Sequence, residues 1–351
     1  MEYDATMVWI SRAVKYGQRH VKKPVVASLL VIGWLPVALS ILAIDVEEAS
    51  QIFLVVQSLA VLPVTFGPFI VWYYNTRVFP SFFETIDELV APDQESLIQE
   101  IAEKYDKIFS QHWWITTLPF VLIIVSVFFV GNSYFASQGI TTNYEQIFYL
   151  LFFIYFALFT GFGGHAGLVM MATIREFSER VNLEIDPLHP DNLGGLSTTG
   201  QFAIRTTVLL STGSLGIPLG LQIASHTQSK TLVYLGIGLY TLILAGTFIY
   251  PTYRINQKAQ EIRDQELGAY RKRIRKLEDR LLNINRDNNS NHDPSRQQEL
   301  QLEIQRTRQE FRDFKKIQLY PLSITIIARL VTSIFLPIAL AIIEMFISDF
   351  F

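Results

Sequence analysis

Apolar positions in this chain gather into seven long runs separated by shorter polar stretches. The runs are Pro24 to Ile44, Ile52 to Tyr74, Trp113 to Phe135, Ile147 to Ala172, Thr207 to Ala224, Thr231 to Tyr250 and Leu322 to Ile347. Each is close to the roughly 20 residues that an α-helix needs to cross a bilayer core. The pattern predicts an all-α fold, a bundle of seven transmembrane helices. The first run is too long for the roughly 7 to 15 apolar residues of a cleaved signal, and a second follows it directly. It is therefore read as a true span.

The polar stretches carry their own periodicity. Ser81 with Glu84 offers a capping box, followed by Phe82, Phe83, Ile86, Leu89 and Val90 on one side. After Pro92, the residues Leu97, Ile101, Tyr105 and Ile108 repeat at helical spacing. Residues 78–112 are thus expected to form two amphipathic helices, and Trp9, Ala13 and Tyr16 mark a third near the N-terminus. Between spans six and seven, Leu267, Tyr270, Ile274, Leu277, Leu281 and Ile284 form one heptad seam. Leu300, Ile304, Thr307, Phe311 and Phe314 form a second. The turn-forming "NRDNNSNHDPS" separates them. This predicts a coiled-coil helical hairpin reaching roughly 45 Å from the bilayer, about 30 residues at 1.5 Å each. The expected organisation is a bundle over 1–253, the hairpin over 254–318 and the seventh span within 319–351.

Composition agrees with the pattern. Half of the 351 residues are hydrophobic and 17 % are charged, against about 25 % in soluble chains. Of the 29 Lys and Arg residues, 27 fall on one side of the predicted bundle. By the positive-inside rule that side is cytoplasmic, with the N-terminus inside and the C-terminus outside, in the inner or plasma membrane of the cell. The absence of cysteine excludes disulfides and thiol chemistry. The charge balance gives no reason to expect nucleic acid as a partner. "RKRIRK", residues 271–276, lies too far from the predicted bilayer to feel headgroups through physiological salt. It is a candidate for a small anionic ligand, though acidic neighbours favour a paired, solvated face.

Within the spans, three departures from plain anchoring stand out. Arg329 lies inside the seventh run, where a guanidinium either snorkels or serves a pore, cavity or partner. The fifth run opens "RTTVLLSTGSLGIP", which brings Arg205, Thr206, Thr207, Ser211, Thr212 and Ser214 together with Gly213, Gly216 and Pro218. Such helices serve close packing or a hydrated path. The fourth run holds "GFGGHAG", whose glycines admit a neighbouring backbone and whose His165 sits near the cytoplasmic interface.

The loop "DPLHPDNLGGL", residues 186–196, is the most polar stretch of the middle of the chain. Asp186, His189 and Asp191 could bind a metal, but without the helix-borne i, i+4 spacing of a zinc site. No nucleophile stands beside a base, so hydrolysis has no support. Pro187 and Pro190 stiffen the loop, Asp191 suits a turn, and Gly194 and Gly195 permit close approach. The loop reads as a structural connector. Its "LHPDNLGGL" resembles the LHPD-x-x-GGL segment of uncharacterised prokaryotic polytopic membrane proteins, which implies a membrane family and no activity. The predicted topology is similar to that of insect odorant and gustatory receptor channels. In those, the cytoplasmic insertion helps assemble a tetramer and the last span lines the pore.

The resulting expectation is an oligomeric ion channel, a homo-oligomer such as a tetramer or other closed ring, leaning toward anions. Arg329 and the hydroxyl run of span five would line or gate it. The alternative is a sensor or scaffold that signals through the hairpin, with a transporter third. No catalytic constellation, cofactor or metal is expected.

Overall fold

The computed structural model describes residues 6–86, 90, 92–181, 197–227, 230–286 and 294–316. Among them there is no β-strand, and six helices are long and apolar enough to cross a membrane. These six coincide with the first six apolar runs. The seventh run with Arg329, and the loop holding Asp186, His189, Pro190, Asp191, Gly194 and Gly195, lie outside the described residues.

In chain order, α1 (Trp9–Gln18) precedes the first span, which is built from α2 (Pro24–Ser28), a π turn (Leu29–Gly33) and α3 (Leu35–Ala43). The second span is α4 (Gln51–Tyr73), carried through a π turn (Tyr74–Val78) into α5 (Phe79–Ile86). Next, α6 (Glu95–Gln111) leads into the third span, α7 (Trp113–Val130), and the short α8 (Asn132–Ala136). The fourth span is α9 (Asn143–Arg180). The fifth comprises α10 (Ser197–Ser211), a 3-10 stretch (Thr212–Gly216) and α11 (Ile217–His226). The sixth begins α12 (Lys230–Arg286), and α13 (Pro294–Lys316) completes the described chain.

Local chemistry explains these boundaries. Ser50 caps α4 by accepting from the Phe53 N–H. Thr142 and Glu145 form a reciprocal capping box at the start of α9. Pro36 has no N–H to offer the Ile32 carbonyl four residues earlier, and the Tyr155 hydroxyl donates to that carbonyl instead, at 3.1 Å. The expected capping box at Ser81 does not form. The second span continues through this point, and the Ser81 hydroxyl donates back to the Val78 carbonyl within the helix. Phe82, Phe83 and Ile86 are nevertheless buried as their spacing suggests.

The N-terminal helix packs by a different face from the one its aromatic residues suggest. Ile10, Val14 and Gly17 are buried, while Trp9 and Tyr16 point outward, Tyr16 at 60 % exposure. The segment before it is pinned by side chains from other helices. Asn75 accepts from the Val8 N–H and donates to the Thr6 carbonyl, and Asp106 accepts from the Thr6 N–H at 2.9 Å. In α6 the buried stripe is Ile98, Ile101, Ala102, Tyr105 and Phe109, with Leu97 and Ile108 at its edge.

Helix α9 is the centre of the bundle and contacts α3, α4, α6, α7, α10 and α12. Its glycines are the reason. A Cβ on Gly161 would lie 2.8 Å from the Thr117 Cα of α7, and one on Gly163 would lie 2.8 Å from the Leu210 Cδ1 of α10. Gly164 meets Phe120 of α7, and Gly167 would place a Cβ 2.5 Å from the Thr247 Cγ2 of α12. Small residues allow this close approach where the hydrophobic effect between helices is weak. A buried polar chain adds direction at the far end from the hairpin: the Tyr149 hydroxyl donates to Gln57, whose amide donates to the Ser40 hydroxyl.

The arms α12 and α13 lie side by side. Leu267, Leu277, Ile304, Thr307 and Phe314 are buried, and the remaining residues of both heptad seams are partly buried. Tyr270 meets Phe314 ring to ring, and the ion pairs Arg273–Glu303 and Glu278–Arg308 flank the seam. Helix α12 runs through Tyr253 and Arg254 without a break, so the bundle and the hairpin share one continuous helix.

Gly161→Val should drive α7 and α9 apart, because the nearest obstacle is backbone. A loss of about 1–3 kcal/mol is expected from overpacking, visible as a lower Tm of the detergent-solubilised protein. Gly238→Ala, with nothing within 4 Å of the added Cβ, should show no loss.

Candidate functional site: an interrupted helix beside two apolar cavities

The fifth span changes its helical form midway. Pro218 supplies no N–H to the Ser214 carbonyl, and the chain tightens into the 3-10 stretch Thr212–Gly216 before resuming as α11. Mid-span stretches of this kind often mark hinges. Tyr240 of α12 reaches across and donates its hydroxyl to the Leu210 carbonyl at the end of α10. Gly213 makes room for that ring, since a Cβ there would lie 2.9 Å from the Tyr240 hydroxyl. Gly216 does the same for Phe156, with a Cβ falling 2.3 Å from its ring.

Two cavities lie on either side of this contact, sharing Phe156, Thr160, Gly213 and Tyr240 as walls. The larger, about 100 Å³, is bounded by α7, α9, α11 and α12, and its other walls are almost wholly apolar, including Phe120, Ile123 and Ile237. The smaller, about 60 Å³, is reached by Thr206 and Thr212 and by Tyr74 of the second span. Such lining suits an acyl chain or another apolar group better than an ion.

The hydroxyl run of span five is largely occupied by its own helix. Thr206 and Thr207 are fully buried and donate to the Phe202 and Ala203 carbonyls. Ser211, Thr212 and Ser214 donate to the Val208, Leu209 and Ser211 carbonyls. Thr207 also lies 3.2 Å from the Thr247 hydroxyl of α12, and Thr206 hydrogen-bonds Tyr74 of the second span, so the run ties span five to two others. Arg205 is exposed and lies 3.4 Å from Gln201, on the opposite side from Thr206 and Thr207. The structure thus gathers the hydroxyls into a packing seam and leaves Arg205 outside the core.

His165 is fully engaged. Its Nδ1 lies 2.8 Å from the Thr116 hydroxyl, its Nε2 lies 3.2 Å from the Ile108 carbonyl, and its ring stacks on Phe109. Because a carbonyl only accepts, Nε2 carries the hydrogen. The residue ties α9 to the junction of α6 and α7. Among the described residues, no group of three or more His, Asp or Glu side chains could hold a metal.

At the hairpin end a charged clasp joins three helices. Glu176 of α9 accepts from Lys104 and Tyr105 of α6, Arg180 bridges Glu176 and Glu100, and Arg254 of α12 pairs with Glu179. Solvent screens most of these groups, so the clasp orients more than it stabilises. The basic run of α12 is partly used: Arg273 is paired and Arg271 lies over the Phe311 ring.

Tyr240, Thr160, Phe156 and the Glu176 clasp escape a reading by periodicity. A tyrosine deep in an apolar run was the available sign, because its hydroxyl requires a partner. No protein-family model, curated protein or solved structure matches the chain.

The Thr207–Thr247 contact can be measured directly. A double-mutant cycle with Thr207→Val and Thr247→Val should yield a coupling of about 0.6 kcal/mol, the usual value between membrane helices, by unfolding in mixed micelles.

Proposed function

We propose that the protein is a multi-pass sensor or scaffold of the cell membrane, whose bundle responds to an apolar ligand and whose hairpin carries the response to a partner. One observation supports this most: α12 lines the larger cavity with Val233, Gly236, Ile237 and Tyr240 and continues unbroken into the hairpin. A shift of that helix at the cavity reaches α13 along a single helix, by way of Pro251, the point within it where the lost hydrogen bond lets it bend. The 3-10 stretch of span five, bonded to the same helix through Tyr240, supplies a bistable neighbour. In this reading the hairpin is a cytoplasmic coiled coil and its exposed outer face meets the partner.

The second reading is an oligomeric ion channel, a tetramer or other closed ring, with the seventh span and Arg329 on the path. It is favoured by the cost of placing a guanidinium within an apolar run. The internal bonding of the span-five hydroxyls supports the first reading over it.

Lack of native cysteine permits clean spin labelling, with Lys107→Cys and Arg275→Cys reporting the hairpin against α6. Gly220→Leu places a side chain into the cavity from a position where a Cβ would lie 3.3 Å from the Ile237 Cδ1, the movable end of a flexible side chain. The sensor reading expects a distance change of about 2 Å or more, the scale of helix shifts in switching proteins. An unchanged distance, together with bilayer currents that Arg329→Leu abolishes, would establish the channel instead.

A further inference from the structure

We propose that the crevice between α1 and the end of α6 binds the headgroup of an anionic phospholipid. The crevice measures about 1080 Å³ and is lined by Arg12, Lys15, Arg19 and Lys22 on one side and Ser110 and Gln111 on the other. The four cations are exposed, and among the described residues none is ion-paired with a carboxylate. Among the described residues no acidic side chain lines the crevice. The nearest acid on α6, Asp106, accepts the Thr6 N–H.

Position selects a lipid over a free anion. Both walls run directly into membrane-length helices: Lys22 is two residues before Pro24, where the first span begins, and Gln111 is two residues before Trp113, where α7 begins. The crevice therefore opens where headgroups lie. On the same helix Trp9 and Tyr16 project outward, as interfacial aromatic residues do, and the Arg19 guanidinium lies over the Tyr16 ring. Clusters of four or more Lys and Arg beside a span attract anionic headgroups, and arginine fits a phosphate with paired donors. The Ser110 hydroxyl, beneath the crevice wall, has no hydrogen-bond partner among the described residues.

The test uses the purified full-length protein in neutral detergent, titrated with short-chain phosphatidylglycerol or phosphatidylcholine and read by thermophoresis. Phosphatidylglycerol should bind preferentially and more weakly as salt rises. Arg12→Gln, Lys15→Gln and Arg19→Gln together should weaken it about tenfold or more, given the attraction each surface cation contributes. The same change of charge on the hairpin, Arg280→Gln, Arg306→Gln and Arg308→Gln, should leave binding unaltered. If the α1 triple variant does not purify as a monodisperse species, Lys15→Gln alone should still weaken binding. Equal binding of the two lipids, or wild-type binding by the α1 variants, would overturn the proposal. Displacement by millimolar inorganic phosphate would overturn it in favour of a free-anion site.

Discussion

Four glycines within seven residues of α9 set the distances on which the bundle depends. Gly161, Gly163, Gly164 and Gly167 each face a side chain or backbone that a Cβ would strike, and the neighbours belong to three other helices. In an apolar surround, helices gain little from hiding apolar surface from one another, so van der Waals contact at short range carries the association. That requirement places the bulk of the packing on one helix. Helix α9 is an uninterrupted 38-residue helix, whereas the first, second and fifth spans contain π or 3-10 turns.

Those interruptions follow a second constraint, that every backbone group within an apolar layer needs a partner. Prolines at 36 and 218 each remove a donor, and the chain answers differently each time. At Ile32 a tyrosine from α9 fills the vacancy. In span five the helix itself tightens, and Tyr240 takes up the Leu210 carbonyl a turn earlier. The second arrangement has cavities on both flanks, and Gly213 and Gly216 stand where the Tyr240 and Phe156 rings come close. Two apolar cavities thus flank one local irregularity.

The opposite end of the bundle is governed by charge. The clasp around Glu176 and Glu179 joins α6, α9 and α12, while Arg12 and Lys15 of α1 and Arg19 at its end have no carboxylate partner among the described residues. The contrast separates basic residues that serve internal geometry from those left to meet something outside the chain. It also distinguishes the α1 crevice from the basic run of α12, where Arg273 is paired with Glu303.

The six described spans, the facing seams of α12 and α13 and the glycine-rich approach on α9 were legible in the residue pattern. Each depends on the length, spacing or size of residues close in sequence. Which face of a span turns inward was not legible. Leu39 is buried while Ile41, two residues on, is 72 % exposed, and both are equally apolar. A helix surrounded by lipid on one side and protein on the other is hydrophobic all round, so periodicity loses the contrast that marks a core face in water. For the same reason the hydroxyls of span five read equally as a path or a seam. The cavities at Tyr240, the Asn75 anchor of the N-terminal segment and the crevice between Arg12 and Ser110 join residues from distant parts of the chain. Only tertiary packing brings those together, because local sequence specifies what a residue can bond but not which neighbour it will meet.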